Sequence, residues 1–163
     1  MKMKLVLDVD KCCACGACAV ACMDQNDIDI AHMTPFRRVA DFELNGEYLY
    51  TSVSCMHCDD APCIQGCPVG VLRKDPVTNL TVYDNTNCIG CHSCAMACPF
   101  GAPTYNRFGK MQNCDGCAER LSHGLEPACV RTCSLGALKV YTEEEYAKVH
   151  TERSLRKIAE KLV

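Results

Sequence analysis

The chain has 163 residues, of which 17 are cysteines, only 6% are aromatic and none is tryptophan. A cysteine content of about a tenth leaves three classes open, namely a secreted disulfide scaffold, a zinc protein and an iron-sulfur protein. The formal net charge is −3 at pH 7, and the sequence offers no basic face of the kind that phosphate backbones require, which excludes nucleic-acid binding.

The start of the chain carries no recognisable export signal. Its apolar stretch is too short for a signal peptide, and Arg37-Arg38 lies too deep in the sequence to act as a twin-arginine signal. No run approaches the roughly 18 apolar residues that span a bilayer. We therefore expect a cytoplasmic protein with no membrane span, in a reducing compartment that keeps thiols available as ligands.

The first predicted element is a short strand at Lys4–Val9, which precedes a group of closely spaced cysteines. This group has the pattern Cys12-x2-Cys15-x2-Cys18-x3-Cys22. Loops with x2 spacing can wrap a cubane and bring three thiolates onto three of its corners, with loop amides free to donate to sulfur. The fourth corner then needs a cysteine from elsewhere in the chain.

A β-hairpin is predicted next, as an insertion over residues 36–54 on the protein surface. Arg37–Leu44 and Glu47–Ser54 flank the pair Asn45-Gly46. That pair tolerates the positive φ angles of a type I′ turn, which is the favoured connection between two antiparallel strands.

Three further groups of cysteines follow, with short strands predicted beside them at Leu80–Tyr83 and Ala137–Tyr141. The sequence Cys18-Ala-Val-Ala-Cys22 is repeated as Cys94-Ala-Met-Ala-Cys98, which indicates an internal duplication. The second group is Cys55, Cys58, Cys63 and Cys67, the third is Cys88, Cys91, Cys94 and Cys98, and the fourth is Cys114, Cys117, Cys129 and Cys133.

The last two cysteines of each group are four residues apart, about one helical turn, so one helix can serve two clusters. In two-cluster ferredoxins the fourth cysteine of a group ligates the other cluster. Groups two and three adjoin and are expected to exchange ligands, which leaves groups one and four to do the same. The expected sets are Cys12, Cys15, Cys18 and Cys133 for cluster 1; Cys55, Cys58, Cys63 and Cys98 for cluster 2; Cys88, Cys91, Cys94 and Cys67 for cluster 3; and Cys114, Cys117, Cys129 and Cys22 for cluster 4.

The expected fold is α+β, with two nested modules like bacterial ferredoxins, the hairpin insertion and a C-terminal helix. The outer module comprises residues 1–35 and 105–141, and the inner module comprises residues 55–104. Thr142 and Glu145 predict a capped start for the helix, which is expected over residues 142–163. Apolar residues then recur at near-helical spacing, which indicates that this helix packs on the protein's own body.

Other candidate residues are weighed against this iron-sulfur interpretation. Zinc sites prefer two separated cysteine pairs, and a disulfide scaffold needs an export signal, so both are disfavoured. Cys13 adjoins Cys12 and could replace it, but register with the other groups favours Cys12, so Cys13 is interpreted as a buried or inert thiol. His57 and His92 could be alternative ligands or proton-coupled neighbours of a cluster, but each cubane already has four thiolates, so they are interpreted as surface or sulfur-facing loop residues. A formal charge of about −11, once thiolates and cluster cores are counted, predicts low reduction potentials. The cations expected to tune those potentials are Lys11, Lys110, Arg120 and Arg131.

From about Val6 to Tyr141 the motifs resemble those of four-cluster electron-transfer subunits of molybdenum and tungsten oxidoreductases. The resemblance is carried by Cys-x2-Cys-x4-Cys-x3-Cys-Pro in group two and Cys-x2-Cys-x11-Cys-x3-Cys in group four. Met23 and Ser134 replace the proline that follows the other two groups. Members of this family include the iron-sulfur subunits of dimethyl sulfoxide reductases and formate dehydrogenases, and the small subunit of tungsten aldehyde oxidoreductases.

The resemblance implies four 4Fe-4S clusters and no catalysis by this chain alone. It also implies a large catalytic partner containing a molybdenum- or tungsten-pterin, of the formate dehydrogenase or aldehyde oxidoreductase type. A flavin- or hydrogenase-type subunit is a candidate second redox partner. Two alternatives stay open: a diffusible polyferredoxin that shuttles between enzymes, and a conducting scaffold that forms filaments or another higher-order oligomer.

Overall fold

Helices and short antiparallel strand pairs alternate along residues 2–162, the part of the chain that the computed structural model describes. This mixture is the predicted α+β class. The helices are α1 (Ala17–Gln25), α2 (Pro62–Gln65), α3 (Ser93–Ala97), α4 (Ala118–Ser122), α5 (Ala128–Arg131) and α6 (Glu143–Leu162). The strands are β1 (Met3–Leu7), β2 (Arg38–Leu44), β3 (Glu47–Val53), β4 (Leu72–Lys74), β5 (Thr81–Tyr83), β6 (Thr104–Tyr105), β7 (Met111–Gln112) and β8 (Leu138–Thr142).

The strands form separate antiparallel pairs, β1 with β8, β2 with β3, β4 with β5 and β6 with β7. The pairing of β1 with β8 joins the two ends of the sequence, with Met3 opposite Thr142 and Leu7 opposite Leu138. Likewise, α1 packs on α5, whereas α2 packs on α3. Segments from the first and last thirds of the sequence therefore pack against each other, and segments from the middle third do the same. The boundaries of the two nested modules stay a prediction.

Strands β2 and β3 are connected by Asn45 and Gly46. These two residues have φ angles of 54° and 81°, as a type I′ turn requires at both of its central positions. The register runs from Arg38 opposite Val53 to Leu44 opposite Glu47. Arg37 lies immediately before β2, at the base of this hairpin.

The helices that follow the cysteine loops differ in length, and only α1 carries both cysteines of its pair, Cys18 and Cys22. The expectation of one helical turn linking two cysteines was wrong for α2, α3 and α5, which end before the second cysteine. Proline explains two of these endings, because it disfavours the helical conformation in the residue before it. Pro68 follows Cys67 and Pro99 follows Cys98.

At the equivalent point of α1, Met23 allows the helix to continue to Gln25. In α5 no proline is involved. There the helix ends at Arg131, and the N–H of Cys133 donates to the carbonyl of Val130 at 3.1 Å, so the last turn is tighter than α-helical. After α2, α3 and α5 the second cysteine therefore lies just beyond the end of the helix.

The C-terminal helix α6 begins with a reciprocal capping box. The N–H of Thr142 donates to the Glu145 carboxylate at 2.8 Å, and the N–H of Glu145 donates to the Thr142 hydroxyl at 3.2 Å. The first turns pack on β8 and β1, and Arg153 forms a 3.0 Å ion pair with Asp8. No helix among residues 2–162 is both long and apolar enough to cross a membrane.

Packing of α6 on the protein's own body, as predicted, is limited to its first half. Leu155 and Ile158 are 62% and 56% exposed, because a helix of 20 residues, about 30 Å long, extends beyond the two short strands beneath it. Val163, which the predicted helix also includes, lies outside the described residues, as does Met1 of the predicted outer module.

The interior of the protein contains few large apolar side chains. Leu72, Leu80 and Met111 are the largest apolar side chains that are almost completely buried. Protein interiors are normally packed to the density of organic crystals, so cavities lined by small residues and thiols require another occupant. The buried cysteines are Cys18, Cys22, Cys55, Cys63, Cys94, Cys114 and Cys129.

Candidate metal centres

Three cavities in the protein are lined by cysteines that come from different groups of the sequence. Each cavity takes three cysteines from one group and the last cysteine of another. The first is lined by Cys12, Cys15, Cys18 and Cys133, with Cys13 beside them. The second is lined by Cys22, Cys114, Cys117 and Cys129. The third is lined by Cys67, Cys88, Cys91 and Cys94.

The remaining four cysteines, the first three of group two and Cys98, are linked by their electrostatics. Burial raises the pKa of the Cys63 thiol to about 11, and the neighbouring Cys55 and Cys98 contribute to this rise. Burial also raises the pKa of Cys55, with Cys58 and Cys98 as added causes. Cys98 therefore lies within electrostatic reach of group two, although it belongs to group three in the sequence.

The four sets of cysteines fit iron-sulfur clusters in the chemistry of their ligand atoms. Thiolate sulfur is the usual protein ligand of such clusters. Among residues 2–162, no three side chains of His, Cys, Asp or Glu converge closely enough to hold a single metal ion. Four cysteines that line one cavity suit a polynuclear cluster, whose metal atoms each take one thiolate.

Backbone N–H groups point at several of the sulfur atoms. The N–H of Met111 donates to Cys88 Sγ at 3.3 Å, and the N–H of His57 donates to Cys55 Sγ at 3.4 Å. Left-handed residues make these loops turn sharply, such as Gly90 with φ of 65°. Hydrogen bonds to cluster sulfur are among the factors that set a cluster's reduction potential.

Gly116, in the loop between Cys114 and Cys117, lies where a side chain cannot fit. Its φ is +73°, and a Cβ there would lie 2.6 Å from Leu80 Cδ1. Leu80 is only 1% exposed and cannot move aside. Gly124 has a similar φ of +70° but no atom within 4 Å of such a Cβ, so it is a matched control.

We expect Gly116→Ala to lower the stability of the iron-loaded protein more than Gly124→Ala does. Both variants carry the cost of a left-handed alanine, about 1–2 kcal/mol. Only Gly116→Ala adds overpacking, about 1–3 kcal/mol. Midpoints of denaturant unfolding, measured anaerobically in parallel, check this difference, and equal losses in the two variants would contradict it.

Cys22 and Cys114 belong to the same group of buried core residues. Burial raises the pKa of the Cys22 thiol to about 12, with Cys129 and Cys117 as further causes. Burial likewise raises the pKa of Cys114. In the metal-free chain these thiols are therefore neutral, and binding of metal as thiolate must displace their protons.

His57 is a neighbour of sulfur and not a surface residue. It is 5% exposed, its Nδ1 accepts a hydrogen bond from the N–H of Thr81 at 2.9 Å, and its Nε2 lies 3.7 Å from Cys114 Sγ. Because Nδ1 is an acceptor, the proton of the neutral ring is on Nε2 and faces the sulfur. Burial lowers the pKa of His57 to about 4, so the ring is uncharged at neutral pH.

His92 plays a different part. Its ring stacks on Tyr105 with 3.8 Å between centroids, and both residues line the cavity that contains Cys67, Cys88, Cys91 and Cys94. The hydroxyl of Tyr105 also lies 3.4 Å from Cys94 Sγ. These contacts could not be read from the sequence, because Tyr105 belongs to a two-residue strand that carries no motif.

None of the four cations expected to tune the clusters is buried. Lys11 and Arg131 are exposed, and Lys110 and Arg120 are partly so. A cation that the motifs do not single out, Arg37, is 3% exposed and lines the cavity of Cys22, Cys114, Cys117 and Cys129. The sequence placed it only in the pair Arg37-Arg38, at the start of the predicted strand Arg37–Leu44.

Cysteine-lined cavities among short helices and two-stranded sheets are the features of an iron-sulfur protein with a ferredoxin-like fold. The chain belongs to the 4Fe-4S dicluster domain family, which it matches over residues 46–143.

Relatives of the chain include subunits of several redox enzymes. The B subunit of the anaerobic dimethyl sulfoxide reductase of Escherichia coli (strain K12) is 39% identical, over 88% of this chain and 75% of the relative. The iron-sulfur subunit of the nitrate-inducible formate dehydrogenase of the same strain is 33% identical, over 91% and 57%. Hydrogenase-2 operon protein HybA of Escherichia coli O157:H7 is 44% identical, over 64% and 34%.

These relatives confirm the coarse functional prediction. The chain is an electron-transfer protein that carries 4Fe-4S clusters, and it is an oxidoreductase subunit that is not itself catalytic.

Proposed function

We propose that the chain holds four 4Fe-4S clusters in a continuous row and relays electrons through them within an oxidoreductase complex. The ligand sets are those expected from the sequence, in which each group of three cysteines is completed by the last cysteine of another group. When bound, the clusters supply one-electron redox chemistry. The chain supplies their thiolates, donates N–H groups to sulfur and excludes water from the interior.

The observation that carries this proposal is that Cys22, Cys55 and Cys114 belong to one group of buried core residues. Cys22 and Cys114 line the same cavity, and Cys55 belongs to group two. Along α1, Cys22 follows Cys18, which lines the first cavity. A second group of buried core residues contains both Cys63 and Cys94. The order of clusters in the row is therefore 1, 4, 2 and 3.

Clusters 1 and 4 are linked by Cys18 and Cys22, one turn apart on α1, so their centres should be on the order of 12 Å apart from the helical rise and the size of the clusters. The buried contacts of Cys55 with Cys114 and of Cys63 with Cys94 extend the row to clusters 2 and 3. Clusters 1 and 3 form its ends, and these are the sites where electrons enter and leave.

The hairpin of β2 and β3 supports a role as a bound subunit over the diffusible shuttle. Phe42 and Leu44 are about half exposed, at 47% and 53%. On β3, Tyr48 and Tyr50 lie opposite Glu43 and Asp41, on the other face of the pair, and are 65% and 39% exposed. Both faces of the hairpin therefore carry exposed apolar side chains, which are typical of surfaces that bind another protein.

The partner we propose is a large catalytic subunit that contains a molybdenum- or tungsten-pterin. Support comes from the dimethyl sulfoxide reductase and formate dehydrogenase relatives, because these are enzyme classes in which the sequence resemblance implies such a partner. The hydrogenase-2 operon relative supports a second redox partner at the other end of the row. A cytoplasmic location stays a prediction from the sequence.

Anaerobic purification of the affinity-tagged chain from its native cells tests this function. We expect a large pterin-containing protein to copurify in a fixed ratio, and Phe42→Ser combined with Tyr48→Ser to reduce that ratio at least tenfold. Phe108→Ser, which removes a 71% exposed aromatic side chain outside the hairpin, is the control and should retain the partner. Recovery of the wild-type chain only as a solitary monomer would favour the shuttle instead.

A further inference from the structure

Arg37 is a buried cation whose hydrogen-bond partners are all neutral. Its Nη1 donates to the carbonyl of Ser52 at 2.9 Å and to the Ser52 hydroxyl at 3.0 Å, and its Nη2 donates to the Ser54 hydroxyl at 2.8 Å. Both serines are 4% exposed. These bonds fix the guanidinium at the base of the hairpin, where the hairpin meets the body of the protein.

A guanidinium is charged at every pH at which the protein is folded. A buried charge is strongly unfavourable unless an opposite charge compensates it. Within residues 2–162, no carboxylate forms an ion pair with Arg37; the ion pairs of that part of the chain lie elsewhere. The hydroxyls and the carbonyl satisfy its hydrogen bonds, but they leave its charge without a counterion.

Cysteine thiols line the adjacent cavity, and they would be negatively charged as metal ligands. Arg37 lines that cavity together with Cys22 and Cys114, and its charge lowers the pKa of both thiols against the larger effect of burial. Asp115 also lines this cavity, but its carboxylate accepts from the N–H of Cys117 at 2.8 Å and does not pair with Arg37.

We propose that Arg37 is the countercharge of the cluster held by Cys22, Cys114, Cys117 and Cys129, and that it raises the reduction potential of that cluster above the value it would otherwise have. This rests on the proposed ligand set. A 4Fe-4S core of charge +2 with four thiolates carries a net charge of about −2, and one added electron makes it about −3. A fixed neighbouring cation favours that step, and Arg37 itself neither takes up nor releases a proton in it.

The neighbouring groups do not provide this charge. His57 points its Nε2–H at Cys114 Sγ from the other side, but the buried ring is neutral. The Ser52 hydroxyl accepts from Arg37 and lies 3.1 Å from Cys18 Sγ, so it can donate its own hydrogen to that sulfur. Arg37 therefore reaches Cys18 only through a neutral hydroxyl. When Arg37 is replaced, the reduction potential of the cluster on Cys18 should change less than that of the cluster on Cys22.

A redox titration of the full iron-loaded chain with dithionite, followed by electron paramagnetic resonance, tests the proposal. In Arg37→Gln we expect one cluster to lose at least about tenfold in its equilibrium constant for reduction, which is ~59 mV for one electron. Cys22→Ala identifies that cluster, because its signal should be absent there. Arg37→Lys keeps the charge and should shift the potential much less. Arg156→Gln removes an equal charge from an 83% exposed side chain of α6 and should change no potential.

Unchanged potentials in Arg37→Gln, or an equal shift in Arg156→Gln, would overturn the proposal. If Arg37→Gln fails to retain iron while Arg37→Lys retains it, the requirement for charge is supported. Loss of iron from both variants would overturn it in favour of a purely structural guanidinium. If Cys22→Ala removes no cluster, the ligand set has failed, which is a separate result from failure of the countercharge.

Discussion

Removal of iron is expected to unfold the protein. The interior is built from cysteines around cavities and contains few large apolar side chains, so cluster binding supplies much of the folding free energy, as in other small metal-dependent domains. After anaerobic chelation, far-ultraviolet circular dichroism should lose most of its native signal, and amide hydrogens of β1 and β8 should exchange freely. Both strands close the fold and need the packed centre beneath them.

Reconstitution with iron and sulfide is the control for that experiment. Recovery of the original spectrum and of hydrogen-exchange protection would show that the loss was caused by removal of the clusters and not by irreversible damage. An iron-free chain with native-like protection throughout would mean that side-chain packing alone holds the fold, contrary to what we expect.

Replacing Cys22 is expected to abolish a cluster built mainly from the fourth group of cysteines, about 100 residues away in sequence. Cys22 lines one cavity with Cys114, Cys117 and Cys129 and is not among the lining residues of the cavity of its own group. Cys22→Ala should therefore lose about four of sixteen irons and the same paramagnetic signal that Cys114→Ala loses. Cys15→Ala should lose a different signal.

Cys13→Ala provides the matched control, because Cys13 is an exposed thiol beside the first cavity and completes none of the proposed sets. It should keep the full iron content and all signals. If Cys22→Ala and Cys15→Ala remove the same signal, group one closes on a cluster of its own, and the proposed row of four clusters must be rearranged.

Several elements of the fold could be predicted from residues that are adjacent in the sequence. Asn45-Gly46 indicated the turn between β2 and β3, and the box from Thr142 to Glu145 indicated the start of α6, because turns and caps depend on a few adjacent residues. The chemistry of the site was also readable, since sixteen cysteines in four spaced groups leave little else to bind than iron-sulfur clusters.

Features that depend on residues distant in the sequence could not be predicted. The pairing of β1 with β8 and the two-residue strands β6 and β7 have no local signature. Burial of Arg37 and His57 depends on where the hairpin and the loop of group two meet, which no spacing specifies. The helix ends were readable in part, because Pro68 and Pro99 mark two of them, but the tight turn that ends α5 follows from tertiary packing.

Quantifying iron and zinc in protein prepared anaerobically tests the central claim most directly. Four quartets of thiolates predict about sixteen irons per polypeptide, an equal amount of acid-labile sulfide and no stoichiometric zinc. About eight irons, or zinc bound in their place, would contradict the account of a single protein that conducts electrons along a row of four clusters.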